Sequence, residues 1–232
     1  IVRVRNGCVD CHGADLAGRV FLEDPAMGTY AGANLTPYAL KSWTNDEIGR
    51  AIHLGIGRGG QALRFMPAFE FHALSKEDVA AVVAYLRTVP PVERPSLPVK
   101  IGPLARILFA TGQLPALLST FFLDTSKGFR EKPAEAATAD FGEYLAVSGC
   151  IGCHGQDFAG GPIPGAPPEW IAAADIRLGR TGWTQEVFLK AMQTGITPTT
   201  GEKMRFPMPT DLLMNMNETE LRALYAYLVT LK

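Results

Sequence analysis

Cys8-Val9-Asp10-Cys11-His12 recurs as Cys150-Ile151-Gly152-Cys153-His154, 142 positions later. The two copies use all four cysteines of the chain and two of its four histidines. Two thiols a short turn apart can form thioethers to the two vinyl groups of one porphyrin, and the adjacent imidazole is then carried under the iron as a proximal ligand. At this composition an accidental Cys-x-x-Cys-His is expected only about 10⁻³ times in the chain, so two copies are not coincidence. A thioredoxin-type pair would want a βαβ setting and no obligatory histidine, and no strand pattern stands out around either site. A zinc site would bring its cysteine pairs closer in sequence. The pattern predicts two covalently attached haem c groups, held by Cys8 and Cys11 and by Cys150 and Cys153. His12 and His154 are their first axial ligands.

The repeat runs beyond the motif. His12-Gly13-Ala14-Asp15-Leu16-Ala17-Gly18 reads against His154-Gly155-Gln156-Asp157-Phe158-Ala159-Gly160, Met66-Pro67 against Met208-Pro209, and Tyr85-Leu86 against Tyr227-Leu228, all at the offset of 142. Trp43 and Trp183 stand 140 apart, so two residues move between loops while the framework is kept. In each copy the methionine lies 54 residues after the histidine, on a proline-containing segment that can hold a thioether over the opposite haem face. Met66 and Met208 are therefore the expected second axial ligands. His53 and His72 are competitors for the first iron. The plainer expectation puts His53 near a helix end, where an imidazole can bond terminal carbonyls. Met204, Met214 and Met216 do not keep the offset to Met66, and Met27 is expected to pack.

Helices must position these groups. Ser75-Lys76-Glu77-Asp78 has the form of a capping box before Val79, Val82, Val83 and Leu86, which repeat at helical spacing. Asn217-Glu218-Thr219-Glu220 does the same before Leu221, Leu224, Tyr225 and Leu228. Thr44 and Thr184 open middle helices, each preceded by a tryptophan able to staple onto Ile48 or Phe188. A first helix is expected over 141–147 before Cys150. Only Ile1 to Gly7 precede Cys8, which suggests a natural polypeptide that starts earlier, with a secretory signal upstream. The expected fold class is all-α, with domains at 1–92 and 136–232 and a linker at 93–135.

The linker opens on Pro90-Pro91 and Pro95. Its stretch from Leu104 to Leu123 is largely apolar, but Arg106, Gln113 and Pro115 interrupt it, which argues against a membrane span. It is expected to pack across the two domains. The chain has 232 residues, 47% hydrophobic, and a net charge of −1. No part carries a strong single-sign field, so nucleic acid is not expected as a partner and long-range steering is weak.

With these residues in view, the whole chain resembles bacterial dihaem cytochromes c built from two class I cytochrome c domains. The first half is similar to a domain of the cytochrome c subunits of membrane-bound alcohol and gluconate dehydrogenases. Cys8, Cys11 and His12 carry that resemblance together with Asn34-Leu35-Thr36-Pro37, Trp43 through Ile48, Gly55-Ile56-Gly57-Arg58, Met66-Pro67, Leu74 through Leu86 and Val89-Pro90-Pro91. Those subunits resemble a three-haem pattern, whereas this chain has two motifs. The resemblance implies maturation outside the bacterial cytoplasm and periplasmic residence, with a possible place at the periphery of a membrane complex.

A His/Met iron has no open position for a substrate and changes oxidation state with little rearrangement. The expectation is an electron-transfer relay in a respiratory chain, not an enzyme, with redox proteins as donor and acceptor and no small-molecule substrate. Arg58, Arg64, Arg180 and Arg205 are weak candidates for propionate contacts. The alternative is a dihaem peroxidase or a thiosulfate-oxidising cytochrome, in which one methionine is displaced. A redox or gas sensor is a third class, without a signalling domain to support it.

Overall fold

The computed structural model describes residues 7–164, 166 and 169–232. Two units emerge, Gly7–Arg130 and Glu131–Lys232. The expectation about a helix before Cys8 concerns residues 1–6, which lie outside the described ones.

In the first unit, α1 (Cys8–His12) carries the motif and is followed by strands β1 (Val20–Asp24) and β2 (Gly28–Ala31). Then come α2 (Pro37–Leu40), α3 (Asn45–Leu54), α4 (Ala68–Phe71) and α5 (Lys76–Thr88). After the proline-rich turn, β3 (Lys100–Ile101) and α6 (Pro103–Ala110) lead into a 3₁₀ stretch, Pro115–Phe122. The second unit contains α7 (Ala139–Val147), α8 (Ile151–His154), α9 (Leu178–Thr181), α10 (Gln185–Thr194), α11 (Thr210–Leu213) and α12 (Glu218–Leu228).

Local signals start the long helices where the sequence places them. Thr44 and Glu47 close a reciprocal capping box on α3, and Asn217 and Glu220 close another on α12. The Ser75 hydroxyl accepts from the Asp78 amide at 3.1 Å, and the Thr184 hydroxyl accepts from the Val187 amide. Each satisfies an N–H that the first helical turn leaves without a partner.

Two expectations need correction. The fold is helical but not purely all-α, because β1, β2 and β3 form an antiparallel three-stranded sheet in that order. The turn between β1 and β2 is built by Asp24, whose carboxylate accepts from the amides of Ala26 and Met27 at 2.8 and 2.7 Å. The second correction concerns 93–130, which groups with the first unit. It contributes β3, and Ala105, Leu114 and Leu117 share a buried cluster with Tyr30, against which Met27, Phe65, Leu108 and Phe109 pack. Burying these apolar side chains repays the order that the segment gives up. Among the described residues, no helix is long and apolar enough to cross a membrane.

Asn34 explains why the proline-rich turn lies where it does. It is fully buried, donating through Nδ2 to the Val92 and Arg94 carbonyls at 3.0 and 2.7 Å. Its Oδ1 accepts from the Thr36 amide and hydroxyl. Arg94 reaches the Gly18 carbonyl at 2.8 Å, tying the same turn to the loop after the first motif. Asn34→Ala would strand several buried polar groups and is expected to destabilise the first unit by about 2–4 kcal/mol, read by urea unfolding.

Candidate haem-binding sites

Each motif folds as a single short helical turn whose histidine is nearly buried, His12 at 9% and His154 at 7% exposure. His12 Nδ1 lies 2.7 Å from the Ala33 carbonyl oxygen, and His154 Nδ1 lies 2.8 Å from that of Ala174. A carbonyl can only accept, so Nδ1 carries the proton and donates, leaving the Nε2 lone pair of each ring for a metal. Burial holds both imidazoles below their ordinary pKa, against the smaller opposing effect of the carbonyl bond. The rings are therefore neutral near pH 7, the form that ligates iron.

The cysteines are half-buried. Burial pushes the Cys8 and Cys11 thiols up to about 11. A redox-active Cys-x-x-Cys pair has the opposite character, with one thiol depressed toward neutrality. The donor set fits a haem c anchor and not a reactive dithiol.

The backbone that follows is duplicated in detail. Leu16 and Phe158 adopt left-handed φ of 58° and 59° while fully buried. Gly18 donates to the His12 carbonyl at 2.8 Å and Gly160 to that of His154 at 2.9 Å. A Cβ on Gly18 would sit 2.5 Å from the Gly32 carbonyl oxygen, and one on Gly160 would sit 2.3 Å from that of Ala173. Both positions therefore require glycine, since the chain folds back there to bring Ala33 or Ala174 under the imidazole. Leu35 donates to the Leu16 carbonyl, and Ile176 donates to that of Phe158. The turn that presents each carbonyl is shaped by Asn34 in one unit and Asp175 in the other, each accepting from the amide two residues on.

The two methionine loops also match. Pro67 (φ −79°, ψ 58°) and Pro209 (φ −82°, ψ 60°) are the central residues of inverse γ-turns. Across them, Ala68 donates to the Met66 carbonyl at 2.8 Å and Thr210 to the Met208 carbonyl at 2.9 Å. Proline presets φ, so each methionine backbone has a fixed exit angle into the short helix that follows. Met66 and Met208 are both partly buried.

The remaining candidates have other partners. His53 packs against His72 and Phe129 in tilted ring contacts, with centroids 4.4 and 4.0 Å apart. Its Nε2 is buried without a hydrogen-bond partner. Burial first, and then the neighbouring His72, depress His53 to about 4. A base depressed on folding contributes stability above its unfolded pKa, near 6.5, that is lost as pH falls through its folded value. His53→Phe keeps a ring in the same contacts and removes the titration. It is expected to abolish about 2–3 kcal/mol of acid destabilisation of the first unit between pH 6.5 and 4, measured by chemical denaturation across that range. Arg58 bonds the Ser42 hydroxyl at 2.9 Å and lies 3.6 Å from Glu47. Arg180 and Arg205 lie beside Asp175 and Glu202, and Arg64 is exposed.

Sequence reasoning missed the two carbonyls that fix the imidazoles. Their identity is carried by backbone, so only the weak match of Asn34-Leu35 to Asp175-Ile176 could have pointed to them.

A family model described as Cytochrome c matches residues 3–90 and again 139–232. The alcohol dehydrogenase (quinone) cytochrome c subunit of Gluconacetobacter polyoxogenes is 27% identical over 216 residues, covering 81% of this chain and 45% of that protein. A nicotinate dehydrogenase subunit of Pseudomonas putida is 26% identical over 260 aligned residues, covering all of this chain and 21% of that protein. The fructose dehydrogenase cytochrome subunit of Gluconobacter japonicus is 29% identical over 130 residues, covering 49% of this chain and 26% of that protein. The chain thus spans less than half the length of these relatives.

Proposed function

Since the chain belongs to the cytochrome c family, we propose that it is a dihaem electron-transfer relay. Cys8 and Cys11 would anchor one haem c, and Cys150 and Cys153 the other. His12 and Met66 would ligate the first iron, and His154 and Met208 the second. When bound, haem c supplies each unit with a one-electron iron couple.

The chain's own residues prepare that couple. The Ala33 and Ala174 carbonyls fix the tautomer and plane of each imidazole and raise its basicity toward metal. The γ-turns at Pro67 and Pro209 set the direction from which each thioether approaches. An iron with an imidazole on one side and a thioether on the other has no vacant position for a substrate, which favours transfer over catalysis.

The observation that carries the proposal is the repeated Nδ1–carbonyl bond with Nε2 left available, on the same glycine-dependent backbone in both units. The similar proteins named as cytochrome subunits of dehydrogenases support a dehydrogenase as donor. Residence on the periplasmic side follows from covalent haem attachment and completes the proposal.

Redox titration of the purified holoprotein tests it. Two one-electron transitions, with no binding of carbon monoxide to the reduced protein, are expected. Uptake of only one electron per chain would overturn the two-haem reading, and rapid carbon monoxide binding at one iron would overturn the relay in favour of a dihaem enzyme.

A further inference from the structure

The two methionine loops match in backbone but differ in what holds them. In the first unit, segment 93–130 runs along the loop and bonds it on both sides of the methionine. The Phe65 amide donates to the Leu117 carbonyl at 3.1 Å. Ser119 Oγ, at 1% exposure, donates to the Met66 carbonyl at 2.5 Å. That carbonyl accepts from Ala68 as well, so both of its lone pairs are engaged. Thr120 Oγ1 bonds at 2.9 Å to the carbonyls of Leu54 and Gly55, at the end of α3. Phe65, held at φ 56°, packs its ring 4.2 Å from that of Tyr30 in the cluster the segment helps to build.

In the second unit, the Met208 carbonyl accepts from Thr210, and the Met208 amide donates to the Arg205 carbonyl. Both partners belong to the loop itself. Among the described residues, no segment from elsewhere in the chain hydrogen-bonds the Met208 carbonyl. Phe206, two residues upstream, is 72% exposed and meets the Trp170 ring edge-on at 4.7 Å, a contact without a hydrogen bond to the methionine backbone.

We propose that segment 93–130 is a clamp on the Met66 loop, with Ser119 as a positioning residue for the sixth ligand of the first iron. The inference rests on the reading that Met66 is that ligand. Its consequence is a functional asymmetry: the first site resists ligand exchange, and the second is the exchangeable one. A thioether bonds ferric iron weakly, so the ease with which its loop swings away governs how readily an outside base replaces it.

Imidazole titration of the ferric holoprotein reads this directly. The expected result is two classes of site, the weaker-binding one belonging to the first unit. Ser119→Ala removes one bond to the partly buried Met66 carbonyl and should raise imidazole affinity at the first iron about tenfold, with the second unmoved. Thr120→Val, which frees the α3 end from the clamp, should act in the same direction. In a Met208→His background, the weak ferric absorption near about 695 nm that marks methionine ligation comes from Met66 alone. There, Ser119→Ala should lower the imidazole concentration that bleaches the band. Unchanged imidazole binding in Ser119→Ala and Thr120→Val, or an equal change at both irons, would overturn the clamp. Adding Met66→Ala in the same background separates the two levels. Loss of the band upholds the ligand assignment whatever the clamp does, and its survival would overturn the assignment itself.

Discussion

With Met208 replaced by histidine, the reduction potential of the second haem is expected to fall by on the order of 0.1 V or more, while that of the first stays where it was. Axial ligands tune haem iron over roughly 0.8 V, and a thioether lies toward the high end because it donates weakly to the oxidised ion. Imidazole is the stronger donor and stabilises the ferric state. Met66→His should produce the same fall in the other transition. Potentiometric titration of the two single variants would then assign each transition to its unit. Equal movement of both transitions, or movement of neither, would contradict the assignment of one methionine per iron.

A second large effect is expected at Gly142, where two helices cross. Helices α7 and α12 cross so closely that a Cβ on Gly142 would lie 1.9 Å from the Ala223 carbonyl oxygen and 2.9 Å from Tyr227 Cβ. The obstacle is backbone, which a rotamer change cannot move. Gly142→Ala must therefore separate the helices that bury Phe141, Tyr144, Leu145, Leu221 and Leu224. The loss is expected to be about 3 kcal/mol or more, at the upper end for overpacking. For a unit of this size, that lowers Tm by roughly 10–25 °C. Calorimetry should show the transition of the second unit shifted and that of the first unchanged. A Tm within a few degrees of the parent would mean that the helices do not cross in this way.

Much of this arrangement is written locally and can be read. The recurrence of Cys-x-x-Cys-His, the shared offset of Met66 and Met208, and the caps at Thr44, Thr184, Ser75 and Asn217 all depend on neighbours a few residues away. What escaped depends on partners far along the chain. Asn34 finds Val92 and Arg94 some 60 residues on, and Ser119 finds Met66 at a separation of 53. No composition rule announces such pairs. Residues 93–130 therefore read as a linker, although their apolar side chains complete the core around Tyr30. The hairpin of β1 and β2 was missed because strands of five and four residues offer too few positions for alternation to stand out. The imidazole partners Ala33 and Ala174 act through carbonyls alone, which leaves nothing for a side-chain pattern to reveal.

The central claim is two irons, each between an imidazole and a thioether. The proton NMR spectrum of the fully reduced holoprotein tests it most directly, because ring current shifts the methyl group of an iron-bound methionine far upfield of all other protein signals. Two such three-proton singlets per chain are expected, one vanishing in Met66→Ala and the other in Met208→Ala. One singlet or none in the parent protein, or two that survive either substitution, would contradict the account.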